Sequence, residues 1–590
     1  MIRWHVLLTY FLLVVAGRTF AETTSEDVRP RKLKEKIVLR QPYRLGEDAA
    51  VRLELGQAVQ FDVAENPYWL RECIVYPSKS GWVWLGTLDR DGYPIRGMDR
   101  RSLQEKFMLL TLAETPCLLV LRWETQAEAM VLHFQVSTSL QKNLGYCRQL
   151  RPEVNPVHLA GMRAFPTVQL PETERIAGFV RLWSEVKYNF VGFDRLPELK
   201  WDEVLNEYLP KVQQVKTADE YFCVLARCLA LLHDGHSDIS WGGQAPHPNS
   251  GGSRLPMEIR IEDDDLVEIV RPMSVTEIVG EARKTELLQA NLKPGEELTQ
   301  LDGRAVKDIL CQDIYPYVSA STPQDRRLRA ARWLVAGDYG SLARVGVKGL
   351  DGEQREVVLT RKPHAFDAHC LPRAEFENNF ECRDLPKGLL YINLPSFESD
   401  QVVRDFQRVF SRVVNSKGLI LDVRKNSGGD SSQGEAIIGL LTDKPVANTR
   451  WKTRDYRPAF RAWGRKEQYY EEDGGFIPPI TSQPFLGPLV VLTGPATFSA
   501  AEDFVVPLHA SKRATIVGER TAGSTRQPLW IELPCGAQAR VCTKLDTYPD
   551  GRDYVSVGII PDVEVHPTAA DLAAGRDVAL ETAQRVICSR

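Results

Sequence analysis

The chain has 590 residues, with 74 Lys and Arg against 78 Asp and Glu, and a formal net charge of -4. That length is enough for several domains of roughly 100 to 200 residues each, and dispersed basic residues near charge balance leave no electrostatic footprint for nucleic acid. No group among the 11 cysteines and 10 histidines has zinc-site spacing, so neither a metal nor a cofactor is expected.

Residues 1–21 read as a signal peptide: Arg3 supplies a basic start, residues 6–16 are apolar, and Thr19 and Ala21 are small residues ahead of a cleavage point. The apolar part is too short to span a bilayer, and no later run of about 18 apolar residues follows, so stable membrane insertion is not expected. The expected destination is the periplasm or the outside, where disulfides form. The expected pairs are Cys535 with Cys542 and Cys370 with Cys382, while Cys223 and Cys228 read as small core residues of one predicted helix.

Short, partly alternating apolar runs at 58–63, 82–85, 107–112, 117–121 and 131–136 predict a β-rich, sandwich-like domain over residues 22–150, with a structural or docking role. The period then changes. Over 151–250, Ile176, Phe179, Val180, Trp183 and Val186 share one face of a helix beginning near Thr173, and Leu225, Leu229 and Leu232 mark another after Thr217. The second helix runs into His236, just past its end and beside Gly235, where a histidine either interacts with the helix dipole or serves as a base. Residues 251–365 predict a compact β-rich module, with strands near 257–261 and 266–270, a Pro-Gly turn at 294–295 and an Asp-Gly hairpin at 302–303. From 366 to 590, strands and helices alternate, which indicates an α/β domain with a mainly parallel sheet and a ligand site beyond the carboxyl ends of its strands.

Within that last domain the apolar run 488–492 leads through a tight turn to Ser499 at a helix start. Two readings stand side by side. Ser499 and Glu502, three apart, match a capping box. Equally, a serine hydroxyl beside free N–H groups at a helix N-terminus is how a nucleophile and an oxyanion site are presented. Upstream, the buried-strand run 418–423 ends in a turn with Gly428 and Gly429; downstream lie the blocks 516–523 and 548–562.

In this order, these blocks resemble the C-terminal processing, or tail-specific, family of serine peptidases (S41), from about residue 170 onward. The resemblance implies a crotonase-like spiral fold for the α/β core, and the module at 251–365 is similar to a PDZ domain, which binds extended peptide termini by strand addition. In the Ser-Lys members a lysine stands 25 residues after the nucleophile; here that position is Ser524. The tricorn-like branch is the closer match, and it implies His236 as general base to Ser499. Its glutamate position is here Val555, so Asp553 is the candidate third member, with Asp550 and Asp238 as alternatives. The oxyanion hole is expected from the N–H of Ala500 with that of Gly428 or Gly429. The expectation is an exported serine peptidase acting on polypeptides through an acyl-enzyme, of unknown oligomeric state. Alternatives are a non-catalytic peptide- or ligand-binding protein on the same scaffold, or an adaptor acting through its β-rich half.

Overall fold

The computed structural model describes nine strands between residues 32 and 137, and residues 170–240, 252–272, 281–338, 341–361, 380–466, 468–524, 527–534 and 537–589. The expected signal peptide, and Cys370 and Cys535 with the two disulfides they would form, lie outside these residues. Among the described residues no helix is long and apolar enough to cross a membrane.

Internal contacts divide the chain into Met1–Tyr146 and Cys147–Arg590. The first unit holds two sheets. In one, Gln57–Val63 lies between Lys32–Leu39, its parallel neighbour, and Glu72–Pro77, from which Trp82–Gly86 and Asp99–Ser102 continue antiparallel. In the other, Ala49–Glu54, Ala129–Ser137, Cys117–Gln126 and Phe107–Leu112 are all antiparallel. Alternation works here at the level of single residues: Val51 and Leu53 are buried while Arg52 and Glu54 between and after them are exposed.

The second unit begins with helices α1 (Glu172–Asn189), α2 (Trp201–Gln214) and α3 (Ala218–Ala230). The apolar faces of α1 and α3 bury Phe179, Leu182, Val186, Phe222, Leu225 and Leu229. Thr217 and Glu220 form a capping box at the start of α3, which is why the helix begins where the polar residues precede the apolar stripe. Next come antiparallel strands in the order Met257–Ile261, Val267–Pro272, Glu297–Leu301, Leu342–Lys348, Gln354–Thr360, closed by helix α4 (Pro323–Leu334). Asp302 and Gly303 have φ of 52° and 78°, the left-handed pair that an Asp-Gly hairpin requires.

The α/β core is a six-stranded sheet in sequential order: β1 (Glu381–Leu385), β2 (Leu389–Asn393), β3 (Gly418–Asp422), β4 (Leu489–Thr493), β5 (Thr515–Gly518) and β6 (Val563–Glu564). The β1–β2 pair is antiparallel and all later pairs are parallel. Every residue of β3 and β4 is buried, as expected of continuous apolar strands covered on both faces. Helices α5 (Gln401–Asn415), α6 (Ser431–Leu440) and α7 (Ala500–Ala510) pack on one face and α8 (Val578–Cys588) on the other. Arg424, just past β3, pairs with Asp422 and reaches Asp577 at the foot of α8 with two bonds of 2.8 Å.

Phe504, 1 % exposed in the centre of α7, packs on Phe397 and on Gly434 of α6. Phe504→Ala is expected to cost about 3 to 5 kcal/mol, whereas the exposed Val414→Ala should cost less than about 0.5 kcal/mol. Urea denaturation midpoints of the two variants check this.

Candidate active site

The loops after β2, β3 and β4 are sewn together by buried polar groups. Asn426, fully buried, donates through Nδ2 to Leu394 O at 3.0 Å, receives Gly428 N–H at Oδ1 at 2.9 Å, and accepts Phe498 N–H on its backbone oxygen at 3.1 Å. Thr497 Oγ1 donates to Val423 O at 2.9 Å and accepts from Gly494 N at 3.1 Å. The turn after β4 is thereby locked, and it delivers Ser499 with φ 58° and ψ −129° at the head of α7. Such a conformation in a non-glycine residue costs on the order of 1 to 3 kcal/mol and persists only where its surroundings over-determine it.

The capping-box reading of Ser499 and Glu502 is not what forms. Ser499 makes no side-chain cap hydrogen bond. Glu502, fully buried, turns instead to the loop after β5 and accepts from Thr521 Oγ1 at 2.5 Å and from the N–H groups of Gly523 and Ser524, both at 2.8 Å. Burial pushes its carboxyl up to about 7, against the lowering effect of these three donors.

His236 arrives from the helical segment. After α3 the chain turns through His233 at φ 46°, and Asp234 Oδ1 accepts His236 N–H at 2.7 Å. Gly235 N–H donates to Ser321 Oγ at 2.9 Å, and a Cβ on Gly235 would lie within 3 Å of the side-chain ends of Asp325, Arg329 and Ser524, so a larger residue there would have to displace them. The strand Asp238–Ser240 then pairs with Gln538–Cys542 in a separate three-stranded sheet. The imidazole is 3 % exposed and stacks on Phe498 with centroids 4.3 Å apart. Nε2 lies 3.1 Å from Ser499 Oγ, and Nδ1 lies 2.9 Å from Ser524 Oγ.

Of the residues singled out in the sequence, Ser499, His236, Ala500 and the two glycines meet in one place. Gly428 and Gly429 have φ of 96° and 136°, and a Cβ on Gly428 would touch Ser499 Cβ at 2.7 Å and Ala500 N at 2.9 Å. Gly428 N–H is spent on Asn426, while those of Gly429 and Ala500 donate to nothing among the described residues.

Asp553 requires a correction. It does not join His236; it is half-exposed and bonded to Arg195, because a carboxylate on this open hairpin finds a nearer guanidinium and water. The alternatives fare no better, Asp550 being held by Arg552 and Asp238 by Arg540 through two bonds of 2.7 Å. The residue that does meet Nδ1, Ser524, registered in the sequence only as the absence of a lysine.

No group of three or more His, Cys, Asp or Glu side chains among the described residues could hold a metal ion. The site's elements are those of serine acyl transfer: a hydroxyl, an imidazole within hydrogen-bond reach, and N–H groups at a helix start.

Several known proteins resemble this chain. Residues 388–565 match the model of peptidase family S41. The C-terminal processing peptidase of the Tetradesmus obliquus chloroplast is 26% identical over 288 residues, 47% of this chain and 54% of its own, so the chain spans about half the length of that relative. The carboxyl-terminal-processing protease of Picosynechococcus sp. is 29% identical over 399 residues, 66% of this chain and 82% of the relative. Mature CPAF, a solved structure, superposes with a TM-score of 0.56 at 15% identity over 71% of this chain and 97% of that one, which shows a shared fold. The match to peptidase family S41 thus covers the α/β core, and the relatives that align with the chain are named as C-terminal processing peptidases.

Proposed function

We propose that this protein is a serine peptidase that hydrolyses peptide bonds in polypeptides through an acyl-enzyme on Ser499, with His236 as general base. The observation that carries the reading is the 3.1 Å approach of His236 Nε2 to Ser499 Oγ at the head of α7. In the productive tautomer Nδ1 keeps its proton and donates a hydrogen bond to Ser524 Oγ, leaving the Nε2 lone pair directed at the nucleophile. Attack on the carbonyl moves the serine proton to Nε2, and the N–H groups of Ala500 and Gly429 receive the oxyanion, each worth about 3 kcal/mol of barrier. His236 then protonates the leaving amine and, in the second half, takes a proton from the water that releases the acid.

The parallel core is read as a crotonase-like spiral, the module at 251–365 as PDZ-like and the N-terminal unit as sandwich-like, with export directed by residues 1–21. The relatives' names, which include C-terminal processing, favour substrates with accessible termini.

Incubation of the chain with an unfolded protein, with new termini mapped by mass spectrometry, tests the reading. Ser499→Ala and His236→Ala should each lower kcat at least about a thousandfold. Cleavage that survives Ser499→Ala would sink the proposal, and a chain that cuts nothing across several substrates and pH values would favour the binding-scaffold alternative.

Ser524→Ala should lower kcat by about ten- to a hundredfold with little change in KM, because it frees the imidazole to adopt the wrong tautomer. Asp553→Asn should stay within about twofold of the unmodified enzyme. Steady-state kinetics on one peptide separates the two.

Glu502 also ties stability to pH. Between its ordinary value and about 7 the folded chain holds a proton on this group that the unfolded chain has lost, so its contribution favours the fold below that window and declines as pH rises through it. Thermal midpoints from pH 4 to 8 should therefore fall less steeply in Glu502→Gln than in the unmodified protein.

A further inference from the structure

Helix α4 turns Ala330, Ala331 and Leu334 into the β-rich core. Its opposite face borders a cavity of about 360 Å³ against α3 and the strand Asp238–Ser240, within the range of small-molecule sites, roughly 300 to 1,000 Å³. Ala226 and Ile239 line it on one side, Leu328 and Trp333 on the other, and Arg329 and Arg332 bring charge to it. Leu328 and Arg332 are exposed, which sets them on its solvent side.

The two arginines differ in what they hold. Arg329 gives Nε to Asp325 at 2.6 Å and a terminal N–H to Gly235 O at 3.1 Å. Arg332 makes no ion pair or hydrogen bond among the described residues. The carboxylate on the wall, Asp238, is taken by Arg540. A guanidinium with no carboxylate of its own, beside an apolar wall and an indole, matches a carboxylate on an apolar body: the planar fork binds the charge and the wall binds the remainder.

Arg329 links this cavity to the peptidase site. It holds the carbonyl of the residue before His236, and its guanidinium lies 5.3 Å over the ring of Phe498, on which His236 stacks. We propose that the cavity is a second ligand site for a monocarboxylate with an apolar body, whether a free acid or the new C-terminus of a cleaved peptide, and that filling it alters His236 through Arg329. The second half rests on His236 as the base; the binding itself does not.

The test titrates full-length Ser499→Ala protein with N-acetyl-phenylalanine by calorimetry. The acid should bind saturably, and its neutral amide at least tenfold more weakly. Arg332→Ala, at an exposed position, should weaken binding at least tenfold at unchanged thermal midpoint, and Ala226→Phe, which fills the cavity from the α3 side, should weaken it at least tenfold in protein that still unfolds in one cooperative transition. A tripeptide acid ending in phenylalanine that binds tenfold tighter than the single residue identifies a peptide terminus as the ligand; equal or weaker binding identifies a free acid. No saturable binding, equal binding of the amide, or binding retained in both variants overturns the site. In the active enzyme the acid should change kcat at constant KM, an effect lost in Arg332→Ala. A competitive rise in KM that survives Arg332→Ala puts the acid in the peptidase cleft and overturns the proposal, and an unchanged kcat overturns its second half. Because the Ser499→Ala titration needs no turnover, a chain without peptidase activity would still pass or fail it.

Discussion

A carboxylate taken wholly out of water must be met by hydrogen-bond donors, and Glu502 meets that demand by drawing in Thr521 Oγ1 and the N–H groups of Gly523 and Ser524. The residue sits one turn along the helix that Ser499 heads, so a single element sets both Ser499 and the loop that carries the partner of His236. Thr521 extends the grip, since its Oγ1 also accepts from Ile559 N at 2.7 Å and so ties the loop to the last block of the core. The cost of burying the acid is met by order in the loop, and that order is what the imidazole needs.

Around this anchor the site is held from three further directions. Asn426 joins the loops that follow three consecutive strands, and the strained backbone of Ser499 is sustained because Phe498 before it and α7 after it are both fixed. The glycine turn completes the arrangement by close approach: a Cβ on Gly428 would collide with Ser499, and one on Gly429 would fall within about 2.4 Å of the backbone of Phe397 and Glu398. Reorganisation at the moment of reaction is thereby limited, which is the condition under which oriented N–H groups lower a barrier most.

The parts of this molecule that obey periodicity were legible in the sequence. The alternation at Val51 to Glu54, the 3.6-residue stripe of α1 and α3 and the apolar runs of β3 and β4 each name their own secondary structure. Ser499 and His236 were legible because special residues stood at element boundaries in a familiar order. The partner of Nδ1 was not, since contact between residues 236 and 524 depends on how two distant loops dock, and no local pattern encodes it. Asp553 stood at a plausible strand position, but Arg195 captures it, from a segment some 360 residues away. Glu502 misled in the opposite sense: its spacing from Ser499 spelled a cap, and burial sent the carboxylate elsewhere.

The strand that follows His236 pairs with Gln538–Cys542, so the histidine turn is fixed by chain that is made some 300 residues later. A ribosome adds residues in order, and every segment upstream of that partner emerges first. Throughout that interval the histidine turn lacks its neighbour, and Ser499, when it appears, has no fixed His236 to meet. On the proposed mechanism, Ser499 becomes competent only when the C-terminal strands have docked, a restraint that comes from the threading of the chain itself.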